Sequence, residues 1–209
     1  SGVVNNIERE SVVRAMIAGL KYVKGQQVLW ATLVLALIIE SSGWTFHTTL
    51  MPIFARNELD ADSAGLGWLL FAFGLGAFAA SVGWVIIGNK RHVGKLMIGS
   101  VVIWHISILV FATSDSFFLS MLIVSVTGAG FASTQVFILA ALLGHSQPEF
   151  RGRVMSLRSL AIYAFALGSM SSGAMAGLWG APNAGYVVGT MGIVMALLLA
   201  VAAPKLRRL

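Results

Sequence analysis

Six apolar runs, each long enough to cross a lipid bilayer, constrain this chain more than any other feature. They lie at about 28–51, 64–87, 96–113, 117–143, 154–178 and 183–203, separated by short polar loops. A run of ~20 residues rising 1.5 Å per residue covers the ~30 Å hydrocarbon core of a membrane. A water-soluble fold of 209 residues would need a polar face on every helix, whereas 57% of these residues are apolar and 11% charged. The mean hydropathy is +0.86. Lipid offers no partner to backbone N–H and C=O groups, and the runs lack the alternation of a barrel strand, so each must be a helix. The expected fold class is an all-α membrane protein of six transmembrane helices over 28–203, with a segment at 1–27 before it and a basic tail at 204–209 after it.

Fourteen Lys and Arg against eight Asp and Glu give a net charge of +6, a balance that points to nucleic acid when it sits on a soluble domain. The positions of the basic residues argue for another use. Arg9, Arg14, Lys21 and Lys24 precede the first span, Lys90, Arg91 and Lys95 follow the second, and Arg151, Arg153 and Arg158 are assigned to the loop after the fourth. Lys205, Arg207 and Arg208 form the tail, leaving Arg56 alone on the other side, beside Glu58, Asp60 and Asp62. Thirteen of the fourteen therefore share one side. Positive charge is retained on the cytoplasmic face, so both termini are expected inside the cell, in a multi-pass inner-membrane protein whose first partner is lipid. No nucleic-acid partner is needed.

The chain has no cysteine, which excludes disulfides and thiolate metal ligands. Its amino terminus carries Glu8, Arg9, Glu10 and Arg14 where a leader would be apolar, and Ser1 in polar sequence reads as the start of a fragment or a processed product. Val12, Val13, Met16, Ile17, Leu20 and Val23 recur at helical spacing, with Arg14, Lys21 and Lys24 between them. Such a helix lies in the headgroup boundary, as an anchor or as a regulatory element. Gly65, Gly67, Gly74, Gly76 and Gly83 in the second run and Gly168, Gly173 and Gly177 in the fifth permit close helix packing, within one bundle or between copies.

Glu40 is the most informative residue, because a carboxylate near the middle of a span costs roughly 3 kcal/mol unless it is paired or neutral. At helical spacing Trp44, His47, Thr48 and Met51 follow it on one face. Two roles fit Glu40, a place on a substrate or proton pathway and a packing bond to a neighbouring helix; His47 lies closer to the outer interface, where water alone would satisfy it. Thr127, Ser133, Thr134 and Gln135 form a second polar cluster in the fourth run. Threonine hydroxyls can bond their own helix, but the Gln135 amide needs outside partners. No H-E-x-x-H, Walker or G-x-S-x-G signature occurs, and four scattered histidines give no metal-ligand spacing, so neither catalysis, metal nor cofactor is expected.

The stretch MPIFARNELDADSAGLGWLLFAFGLGAFAASVG, residues 51–83, resembles the seventh-to-eighth span region of major facilitator superfamily transporters. PEFRGRVMSL at 148–157 is similar to the loop between spans ten and eleven in the branch that holds enterobactin exporters and macrolide efflux proteins, and AGLKYVKGQQVL at 18–29 to the entry into span seven. GNKRHVGK at 88–95 sits at the family's basic loop motif, with Asn89 where an acid is often found; Arg158 stands where an aromatic residue is common.

The resemblance implies the carboxy-terminal half of a fold of about twelve spans, built of two inverted three-helix repeats, with substrate bound at the midplane between halves. It places the first and fourth spans on the cavity wall. Glu40, Trp44, His47, Thr127, Thr134 and Gln135 are then candidates for the substrate or proton pathway, and Glu149, Arg151, Arg153, Lys90 and Arg91 for a cytoplasmic gate. Trp104 and His105, in the third span, would lie outside the cavity. The implied partners are an amino-terminal six-helix half, a small-molecule substrate and protons; the implied activity is proton-coupled export of a small amphipathic compound such as a siderophore or drug. A six-span permease subunit or scaffold energised by another protein is the alternative. An intramembrane enzyme would need His105 or His47 brought beside a serine.

Overall fold

A computed structural model describes residues 12–88 and 92–209. Its six membrane-length helices are Gln27–Asn57, Ser63–Ile87, Val93–Phe111, Phe117–His145, Pro148–Trp179 and Ala181–Ala202, called the first to sixth spans below. Among the described residues there is no strand. A leading helix, Val12–Lys24, precedes them and a short one, Pro204–Arg207, follows.

Local chemistry sets where the spans begin and end. Asp62 caps the second span by accepting from Gly65 N at 2.8 Å, and Ser116 stands in the same position before the fourth, each side-chain oxygen taking a donor that the first helical turn leaves unpaired. Gly88 ends the second span at φ +57° and Gly180 separates the fifth from the sixth at φ +86°, backbone angles that side chains with a Cβ rarely adopt.

Two spans depart from α geometry. The first winds as π-helix over Glu40–Trp44 and again over Phe46–Leu50. Its hydroxyls bond backward: Ser42 Oγ donates to Ile38 O at 2.6 Å and Thr45 Oγ1 to Glu40 O at 3.2 Å. Pro52, without an N–H, cannot close the turn before it. The fifth span tightens near its middle, where Ile162 N donates to Ser159 O and Tyr163 N to Leu160 O.

Glycines let the spans meet. A Cβ on Gly76 would overlap the Ser125 backbone, one on Gly128 the Phe73 carbonyl, and one on Gly168 the Ser41 carbonyl, so these joints hold second to fourth and fifth to first. Trp104, fully buried, is wedged between Gly43 and Gly130 and joins the first, third and fourth spans. Gly67, Gly74, Gly83 and Gly177 face open space instead, so close packing inside this bundle does not account for them.

The leading helix and the tail helix lie at one end of the bundle. Lys205 N donates to Gln27 Oε1 at 3.1 Å, a Cβ on Gly94 would strike Leu206, and Gly19 of the leading helix packs on Arg153. Arg14, Lys21, Lys24, Lys95, Arg151, Arg153 and the tail cations therefore gather there, and Arg56, expected in the loop, lies at the opposite end in the last turn of the first span. Lys90 and Arg91 fall outside the described residues. Arg158 needs a correction: it is not a loop residue but sits in the helix Arg151–Ala161, buried at 9% exposure. Among the described residues nine cations lie at that end.

Candidate functional site

Three spans converge on one polar cluster. Arg158 Nη2, from the fifth, donates to Glu40 Oε1 of the first at 2.8 Å and to Gln135 Oε1 of the fourth at 3.0 Å. One nitrogen with two hydrogens thus serves a carboxylate and an amide together. Glu40 is buried at 5% exposure and Gln135 is half-buried. The pairing removes the cost of two isolated charges within a span and replaces it with one neutral, directional contact. The guanidinium is incompletely satisfied, because its buried Nη1 has no hydrogen-bond partner.

Both charged members sit where their helices are irregular. Glu40 opens the π-helical stretch and Arg158 lies one turn before the tightened backbone at Ile162 and Tyr163. Beside them is a cavity of about 290 Å³ lined by Gln135, Ile138, Leu139, Met155, Arg158 and Ser159, among others, an apolar wall with its polar groups at one side.

The remaining candidates on the first span go elsewhere. Trp44 stacks on Phe131, ring centroids 5.2 Å apart and planes 26° apart. His47, buried, accepts from Trp104 Nε1 at 3.1 Å. That bond leaves Nε2 without a proton, so the neutral ring carries its proton on Nδ1, which is buried and unpartnered. Phe46, Phe73 and Trp104 surround it. The shared face from Glu40 to His47 therefore divides into an ionic site and an aromatic box.

Thr127 and Thr134 are buried and spend their hydroxyls on their own helix, donating to Val124 O at 2.6 Å and Gly130 O at 2.8 Å. Neither joins the cluster. Ser133 accepts from Trp84 Nε1 at 2.7 Å, tying the fourth span to the second. At the end that holds the leading helix and the tail, Glu149 and Arg151 are exposed and the Arg153 guanidinium lies 5.3 Å from the centre of the Phe150 ring.

Two residues escaped the sequence reading. The sequence pattern hides Arg158 among the loop cations that flank spans; its signal is the departure from an aromatic residue at that position. His105, assigned to packing, bonds Val101 O through Nδ1 at 2.8 Å and meets Ser42 Oγ at 2.8 Å through Nε2. This puts a serine beside a histidine, yet both are fully buried and Ser42 also donates to Ile38 O, so no substrate reaches them. Among the described residues no group of three His, Cys, Asp or Glu could hold a metal.

The sequence model of the Major Facilitator Superfamily matches residues 5–208. The chain belongs to the Major Facilitator Superfamily. No curated protein matches it. Its six membrane-capable helices fit one six-helix half of the facilitator fold, and the chain is a secondary transporter in the general sense of that family. In this facilitator the cluster of Glu40, Gln135 and Arg158 holds a buried charge pair across three spans, a demanding arrangement in a membrane.

Proposed function

We propose that the chain forms the carboxy-terminal half of a proton-coupled transporter for a small amphipathic compound, with Glu40 as the proton-carrying group. The buried bond from Arg158 to Glu40 is the observation that carries this reading. A carboxylate held in a span by one guanidinium is stable while charged and paired. Protonation weakens that bond and frees both side chains, so the proton is linked to how the first, fourth and fifth spans are joined.

The second half would cover the open faces. In the second and fifth spans only 6% and 17% of the apolar stretch is buried, against 61% in the first, and Gly67, Gly74, Gly83 and Gly177, which face open space, lie on these two. A second six-helix unit packed there, rocking about the cluster, gives alternating access. Glu149, Arg151 and Arg153, with Lys90 and Arg91, would meet it as a gate on the cytoplasmic side, where the basic flanks place both termini. Export, an inner-membrane location and the siderophore or drug class follow from the resemblance to enterobactin and macrolide exporters.

The test is Glu40→Gln in the full-length transporter reconstituted in liposomes. Transport driven by a pH gradient should be lost while substrate exchange without a gradient persists; an unaltered pH dependence rejects Glu40 as the proton carrier.

A further inference from the structure

The guanidinium of Arg158 carries a buried nitrogen with no hydrogen-bond partner. Nη2 serves Glu40 and Gln135, whereas Nη1 is buried with no partner. A buried cationic N–H without an acceptor costs more than any other kind of unsatisfied donor. Arg158 also lines the cavity of about 290 Å³, whose other walls are Ile138, Leu139, Leu142, Met155 and Ile162, with Ser159 and Gln135 as further polar groups. An apolar chamber with an underused guanidinium at its edge has the chemistry of a site for an amphipathic anion.

We propose that this cavity binds the anionic head of an aromatic or aliphatic substrate on Arg158, and that the anion and a proton on Glu40 bind together. The inference rests on the reading of Glu40 as the proton carrier and adds the substrate's charge and the sign of the coupling.

The sign follows from counting charges. With Glu40 ionised, the pair is neutral and an arriving anion must compete with a carboxylate already in place at 2.8 Å. A proton from water that adds to the Glu40 carboxylate leaves one uncompensated positive charge on Arg158, and an anion in the cavity restores neutrality. Each ligand therefore raises the affinity for the other by the same factor. Proton and anion load in one state and move in the same direction, so an inward proton gradient would drive uptake, and this inference replaces the export and proton exchange read from the resemblance.

The other groups around Glu40 do not supply that balance. Arg158 is the charged side chain bonded to it. On its own span His47 is bonded by Trp104, and on the third span His105 is turned to Val101 and Ser42. Of the tyrosines on the fifth and sixth spans, Tyr163 is exposed and Tyr186 is bonded to Ala112 O at the end of the third span.

The experiment uses the full-length transporter in phosphatidylcholine nanodiscs, with naphthalene-2-sulfonate as a probe that stays anionic at every working pH and naphthalene-2-sulfonamide as its uncharged counterpart. Affinity is read by calorimetric titration against empty nanodiscs. The sulfonate should bind more tightly as the pH falls and the sulfonamide should not change. Glu40→Gln should bind the sulfonate tightly at all pH values, and Arg158→Gln should weaken it about tenfold or more, the loss of a charge-assisted contact. Leu139→Trp fills the cavity from the fourth span, keeps both members of the ion pair and should weaken the sulfonate to the same degree; it decides the matter if Arg158→Gln does not fold. Sulfonate affinity that is unchanged in these two variants, or that falls with falling pH, overturns the proposal while leaving Glu40 as proton carrier untouched. Loss of proton coupling in Glu40→Gln liposomes tests that earlier reading separately.

Discussion

At the scale of residues, Arg158 and Glu40 are each other's reason for being tolerable in a membrane. Removing one partner strands the other as an unpaired buried charge, which typically costs about 3–5 kcal/mol, whereas replacing both with apolar groups of similar volume is often neutral. Glu40→Leu and Arg158→Met are therefore each expected to unfold at lower denaturing-detergent content than the parent, while the double variant recovers most of the loss. Additive losses in a mixed-micelle unfolding titration would show that the two side chains are not coupled. Half of this pair was legible in sequence: an acid in mid-span announces a partner, and Glu40 and Gln135 were picked out on that ground. Arg158 was not, since an arginine near the end of an apolar run is ordinarily a flank in the headgroups. The threonines tell the opposite story, for hydroxyl groups can disappear into their own helix, and Thr127 and Thr134 do.

At the scale of elements, the joint around Trp104 decides how three spans meet. Its ring and backbone occupy the space that a Cβ on Gly43 or Gly130 would need, and Trp104 itself is fully buried and cannot swing away. Gly130→Ala and Gly43→Ala should each destabilise the protein by about 1–3 kcal/mol, the usual penalty for overpacking a filled core. Gly74→Ala, which meets open space, should be neutral or gain up to about 1 kcal/mol from better helix propensity. Thermal unfolding midpoints of the three variants in one detergent check this, and equal effects at all three would refute the wedge. The irregular stretches belong to the same scale. Hydroxyl residues, Gly43 and Pro52 crowd into 41–52 and make a departure from α geometry there intelligible, but where the π-helix starts depends on what Glu40 and Gly168 must reach across the bundle.

At the scale of the whole molecule, the basic ends of the spans gather at one end of the bundle and Arg56 lies at the other. Because the chain has no cysteine of its own, single cysteines at Asp60 and at Lys95 can be labelled without background. An impermeant maleimide on intact cells should modify the cysteine at Asp60 and not the one at Lys95; labelling of both from outside would break the proposed topology. What the amino-acid sequence determined alone is the solvent, the helical class, the number of spans and the grouping of cations, because these depend on composition summed along short stretches against a fixed bilayer thickness. What only the tertiary structure decided is which buried polar groups belong together. Arg158 finds its acceptors 118 and 23 positions away in the chain, and the cost of an ion in lipid is cancelled by contact in space, which no local pattern records.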